Sequence, residues 1–126
     1  MTMKTIWLVD DDDEMLQAMG LMLNMLDFET RYFLSARPAA DTLMAGEKPD
    51  LLLLDINMPE ISGLDMLEFI RRRTEWKNLP IVMLSTEAAD VTIDKAMALG
   101  ADGYVTKPVM IEELEKVINH VMGKQN

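Results

Sequence analysis

LLLLDINMPEISG, residues 51–63, is the stretch that decides the fold. Four leucines in a row do not alternate as a strand with one wet face would; they suit a strand covered on both sides, as in a parallel sheet. The run then stops on Asp55, and Asn57-Met58-Pro59 breaks the chain into a loop. Burying an unpaired carboxylate is costly. Asp55 is therefore either the point where the strand surfaces or a carboxylate delivered to a site.

On either side, short apolar runs alternate with helical patterns. Thr5–Val9 predicts a strand, and Asp12 or Asp13 can cap a helix through about Met25. On that helix Met15, Ala18, Met19, Met22, Leu23 and Leu26 share one face at 3–4 residue spacing. Thr30–Phe33 is a weaker strand, and Pro38 is expected to start a helix through about Met44. Ser62–Arg73 predicts a helix ending in three arginines that solvent should cover, Ile81–Leu84 a strand, and Val91–Leu99 a helix stopped at Gly100. Trp76 is expected to pack the loop before Ile81. Tyr104–Val105 closes as a short strand, and Ile111–Met122 as a helix with Ile111, Leu114, Val117, Ile118 and Val121 inward. Strand and helix thus alternate five times. The expectation is an α/β fold: a doubly wound, five-stranded parallel sheet of the flavodoxin-like (βα)5 kind, with helices on both faces and right-handed crossovers.

The 126 residues predict one domain, 1–126. With 22 Asp plus Glu against 12 Lys plus Arg, the net charge of −10 opposes direct contact with nucleic acid or anionic lipid. No cysteine is present, which excludes disulfides, cysteine nucleophiles and thiolate metal sites. No apolar run approaches the roughly 20 residues of a membrane span, and the start of the chain lacks the apolar core of a secretory signal, so a cytoplasmic location is expected.

In sheets of this kind ligands sit beyond the carboxyl ends of the strands. Those ends carry Asp10-Asp11, Asp55, Ser85-Thr86 and Thr106-Lys107-Pro108. Three clustered carboxylates would take up protons unless a cation keeps them ionised. Oxygen ligands without His or Cys favour a hard ion, Mg²⁺ or alternatively Mn²⁺. Lys107 can neutralise one further negative charge, and the Ser85 hydroxyl can donate to an anion. The set suits an aspartate that receives a phosphoryl group beside a metal ion, with positioning and charge neutralisation doing the catalysis.

Asp10-Asp11, LLLLDINMP around Asp55, IVMLST at Ser85 and GYVTKP ending at Lys107-Pro108 resemble, in that order, the receiver domain of two-component response regulators. The similarity covers nearly the whole chain, with 44, 30 and 22 residues separating Asp11, Asp55, Ser85 and Lys107. The resemblance implies that Asp55 is the phosphoacceptor. Asp11, Asp55 and the Asn57 backbone carbonyl would be the metal ligands, with Asp10 acting through water. Lys107 and Ser85 would bind the phosphoryl oxygens, Tyr104 would be the aromatic switch residue coupled to Ser85, and Pro108 would follow a cis peptide bond. Asn57 and Glu87 take the positions that tune phosphoryl lifetime. It further implies a histidine kinase or histidine phosphotransfer protein as donor. A downstream protein would be reached through the face of the fourth helix, fifth strand and fifth helix. The first helix would be the kinase-docking surface, with Leu16 and Met15 as candidates.

Several residues carry blander expectations. Methionines are many, and those on the first helix fit gap filling in the core; His120, off the last helix's apolar stripe, fits a surface position. Val117 and Gly103 replace the arginine and the second acid of the pattern by which winged-helix regulators dimerise, so that dimer is not expected despite Lys95 and Asp102. After Met122 only four residues follow, as expected for a receiver that works by docking or for one cut from a longer regulator. An aspartyl phosphatase of the haloacid-dehalogenase kind would want Asp-x-Asp, where Asp55-Ile56-Asn57 lacks the second acid. A module that never takes phosphate would be expected to lack one of Asp11, Asp55 or Lys107.

Overall fold

In the computed structural model, which describes residues 3–123, the leucine run forms the middle of the sheet. The strands are β1 Thr5–Val9, β2 Glu29–Phe33, β3 Leu51–Asp55, β4 Ile81–Ser85 and β5 Gly103–Thr106. They lie in the order β2-β1-β3-β4-β5, all parallel. The helices are α1 Asp13–Met25, α2 Ala36–Met44, α3 Gly63–Arg71, α4 Asp90–Ala98 and α5 Ile111–Gly123, with a 3-10 turn at Thr74–Trp76. The doubly wound fold expected from the alternation is the fold observed.

Each inner strand feeds two cores. Ile6, Leu8, Leu51, Leu53, Val82 and Leu84 pack with α1 and α5, through Leu16, Met19 and Leu23 and through Leu114, Ile118 and Val121. Trp7, Val9, Leu52, Leu54, Ile81 and Met83 pack on the opposite face with α2, α3 and α4. Both parities of β3 are therefore apolar, and all four leucines are fully buried. Truncating any of them to alanine would cost about 2–5 kcal/mol.

Four local expectations are corrected. On α1 the buried residues are Leu16, Met19, Gly20 and Leu23, while Ala18 is exposed and Met15 half-buried. Gly20 makes the difference: a Cβ there would lie 1.9 Å from the Tyr32 hydroxyl, so the glycine is where β2's tyrosine crosses the helix. Leu16 is 1% exposed and is thereby removed as a docking residue; the exposed apolar residues of α1 are Leu21 and Met25. Helix α2 begins at Ala36, two residues before Pro38. Proline is tolerated there because the first-turn N–H groups have no intrahelical partner. Helix α3 begins at Gly63, with Ser62 as its cap accepting from Asp65 N (3.1 Å), and ends at Arg71. Finally, Arg71 is no solvated helix end. Its guanidinium donates to the Gly100 carbonyl (2.8 Å), the Trp76 carbonyl (3.0 Å) and Asp102 (2.9 Å), and Asp102 also accepts from Ile81 N (2.9 Å).

Candidate functional site

Strand order reverses between β1 and β3, since β1 leads outward to β2 and the chain then returns to β3. The crevice at that switch point is where a doubly wound sheet binds ligands. Here it collects the carboxylates of Asp10, Asp11 and Asp55, with one oxygen from each lying within 4.8 Å of the others. Asp10 and Asp55 are buried, and Asp11 is exposed at the mouth.

Local backbone chemistry explains the placement. Asp10 N donates to the Phe33 carbonyl (3.1 Å), continuing the β1–β2 ladder one residue past the strand. Its carboxylate accepts from Asp12 N (3.0 Å), turning the chain into α1. Asp12 then caps that helix, accepting from Glu14 N (3.0 Å) and Met15 N (3.3 Å). Asp55 is the last residue of β3, and the following Ile56 N donates to the Leu84 carbonyl (2.9 Å), which pins the strand end to β4.

Lys107 Nζ lies 2.8 Å from Asp10 and 3.4 Å from Asp55, with its side chain 14% exposed. The nearer contact is a charge-assisted hydrogen bond; the farther is an ion pair only. Lys107 N donates to the Ser85 carbonyl (2.8 Å), and the peptide to Pro108 is cis. Burial works against the Lys107 ammonium, but Asp10 and Asp55 outweigh it and raise its pKa above the ordinary lysine value. Burial and the neighbouring Asp10 push the Asp55 carboxyl up from 3.8 to about 6, against the opposing pull of Lys107 and the Asn57 N–H. One lysine thus falls short of neutralising this cluster. The residues present fit a small divalent cation: three convergent carboxylates, oxygen donors without His or Cys, and an unbalanced negative charge.

Ser85 is fully buried at the end of β4, and its Oγ accepts from Glu87 N (3.0 Å). Tyr104, half-buried on β5, donates its hydroxyl to the Glu87 carbonyl (2.8 Å). Thr92, in the first turn of α4, donates to the Glu87 carboxylate (2.8 Å). Glu87 therefore ties the strand-end hydroxyl to both β5 and α4. The part played by Thr92 had no sequence signal, because it exists only through a turn whose course the sequence does not specify. Asn57 follows Asp55 in the exposed part of the loop, and His120 is exposed on α5, away from the carboxylates.

The sequence matches the response regulator receiver domain over residues 6–119. The chain belongs to that family. It is 30% identical to the chemotaxis protein CheY1 of Helicobacter pylori, over 91% of this chain and 94% of that protein. It is 32% identical to protein RcaC of Microchaete diplosiphon, over 86% of this chain and 17% of that protein. Its fold superposes with a TM-score of 0.91 on a putative response regulator from Chloroflexus aurantiacus, at 27% identity and covering 97% of this chain and 99% of that one. The chain spans only about a fifth of the length of several curated relatives it matches. Receivers of this family serve two-component signalling, and this chain carries their fold and their acidic crevice. Among the described residues, no helix is long and apolar enough to cross a membrane.

Proposed function

We propose that this receiver accepts a phosphoryl group on Asp55, and that the phosphorylated form presents an altered face of α4, β5 and α5 to a downstream protein. The observation that carries the reading is the buried Asp55 carboxylate at the switch point, within reach of two further carboxylates and of Lys107. Asp11, Asp55 and the Asn57 carbonyl would hold Mg²⁺ or Mn²⁺, with Asp10 acting through water. Such an ion, when bound, keeps the carboxylates ionised and neutralises charge on the phosphoryl oxygens.

The chain's own residues supply the rest. An Asp55 carboxylate oxygen attacks phosphorus in line with the departing imidazole nitrogen of a phosphohistidine. The O–P bond forms as the P–N bond breaks, and the released imidazole takes a proton from solvent. Lys107 exchanges its weak contact with Asp55 for a phosphoryl oxygen while keeping Asp10. Ser85 donates its hydroxyl hydrogen to another oxygen while still accepting from Glu87 N. A change at Ser85 reaches Tyr104 and Thr92 through Glu87, which couples the crevice to the proposed output face. Asn57 and Glu87, at the crevice mouth, would set how readily water reaches the acyl phosphate. The donor would be a sensor histidine kinase or a histidine phosphotransfer protein in the cytoplasm. The chain would act as one domain, catalysing only its own phosphorylation and dephosphorylation.

Phosphoramidate, a small donor with the same P–N bond, tests the reading. Incubated with Mg²⁺, the protein should acquire phosphate that survives acid and is released by hydroxylamine, and Asp55→Asn should acquire none. Hydroxylamine-resistant phosphate, or equal uptake by Asp55→Asn, would contradict it.

A further inference from the structure

Gly63 opens α3 directly beneath the end of β3. A Cβ at this position would lie 2.0 Å from the Asp55 carbonyl oxygen, and 2.8 Å from both the Asp55 carbonyl carbon and the Ile56 Cα. These are backbone atoms at a strand end that Ile56 N fixes to β4, so they cannot move aside as a flexible side chain could. Close approach, rather than a left-handed backbone, is what demands glycine here. Gly63 N also donates to the Ile56 carbonyl (2.9 Å), closing residues 57–62 into a tight loop. Within that loop Ile61 N turns back to the Pro59 carbonyl (2.8 Å), and Glu60 sits at φ 68°. At the loop's start, the Asn57 N–H faces the Asp55 carboxylate and favours its ionised form.

We infer that Gly63 is a positioning residue for the acidic crevice: its missing side chain lets α3 seat on the Asp55 backbone, and that seating holds the Asn57 segment against the Asp55 carboxylate. The inference rests on the proposed metal-binding role of this crevice, but its geometric half stands without metal. Any side chain at 63 must push α3 off the strand end. The six-residue loop, closed at its base, has no slack to absorb the shift, so Asn57 moves relative to the carboxylates. The lesion differs from ordinary destabilisation, because it falls on the supports of the site.

Gly63→Ala is compared with Gly46→Ala, a strain control. Gly46 has φ 101° and nothing within 4 Å of a built Cβ, so its substitution costs stability at a turn between α2 and β3. Mg²⁺ binding followed by calorimetry should weaken about tenfold or more in Gly63→Ala and stay within about twofold of wild type in Gly46→Ala. In EDTA, the Asn57 amide should exchange with solvent faster in Gly63→Ala alone. Ser62→Ala loosens the same junction from the helix side without adding atoms, and decides the matter where Gly63→Ala does not fold. It should speed Asn57 exchange and weaken Mg²⁺ binding about threefold. Wild-type Mg²⁺ affinity and Asn57 exchange in folded Gly63→Ala, or in Ser62→Ala should the former not fold, would overturn the inference. Wild-type protein that bound no Mg²⁺ would instead sink the metal reading, while the exchange measurement would still decide Gly63's geometric part.

Discussion

Asp55 is stored in a state that costs the fold stability. Its carboxyl titrates near 6 in the folded chain against an ordinary value of 3.8, chiefly because it is buried and lies beside Asp10. Between those two values the folded protein holds the proton that the unfolded chain has released. Its contribution to stability therefore falls as pH rises through the window and is at its worst above pH 6. Removing the charge with Asp55→Asn should stabilise the metal-free protein at pH 7.5 by roughly 2 kcal/mol, and the gap should close toward pH 5. Urea unfolding in EDTA at the two pH values measures this; an Asn variant less stable than wild type at pH 7.5 would contradict it. Lys107→Ala has the opposite sign, leaving Asp10 and Asp55 without their cation. It should lower stability at pH 7.5 by about 1–3 kcal/mol and retain Mg²⁺ binding while weakening the response to phosphorylation. Normal switching in that variant would remove the role proposed for the lysine.

Helix α4 buries fewer residues than any other α-helix of the fold, and it is the part of the proposed output face tied to the crevice through Glu87. Only Ala96 is buried, Val91 is 80% exposed, and Ala89 at its start offers no capping side chain. It is fastened at its two ends, by Thr92 to Glu87 and by Arg71 to the Gly100 carbonyl just past its last turn. Arg71→Met strands Asp102 and two carbonyls at that second fastening. It should cost about 2 kcal/mol in urea unfolding, less than a fully buried pair because Asp102 is partly exposed. It should also speed amide exchange through the end of α4 while leaving Mg²⁺ affinity unchanged. Protection of α4 equal to wild type would show that the guanidinium does not anchor it. Arg71 also shows where sequence reading stops. Three arginines in a row carry no mark of which one will reach Gly100 and Asp102, 29 and 31 residues further along the chain. The central strands were legible because both parities of LLLL and IVML are apolar, and the strand-end residues followed from knowing where such a sheet opens. On helix α1 the expected face holds at Met19 and Leu23, but Leu16 and Gly20 are buried where Ala18 was expected, because its leucines and methionines allow two adjacent stripes. The glycine that selects between them is a gap rather than a signal. Gly63 fell at the start of the expected helix Ser62–Arg73, but its contact with the Asp55 carbonyl depends on tertiary placement.

At the scale of the whole molecule, Asp10, Asp11 and Asp55 converge at the carboxyl ends of the inner strands β1 and β3, which suits reception of a phosphoryl group from a protein donor. Asp102, a residue that could have served a dimer through α4, β5 and α5, is already committed to Arg71 of its own chain. Val117 and Gly103 offer no replacement charge on α5 or β5. The protein should therefore remain monomeric by light scattering with Mg²⁺ and acetyl phosphate; a phosphorylation-dependent dimer broken by Lys95→Glu would contradict this. The central claim is that the converging charges make Asp55 a phosphoacceptor. It is tested most directly by intact mass after incubation with Mg²⁺ and acetyl phosphate. The account predicts a single added phosphoryl group, absent in EDTA and absent in Asp55→Asn. The same adduct persisting in Asp55→Asn would contradict it, as would no adduct and no consumption of acetyl phosphate by the wild-type protein.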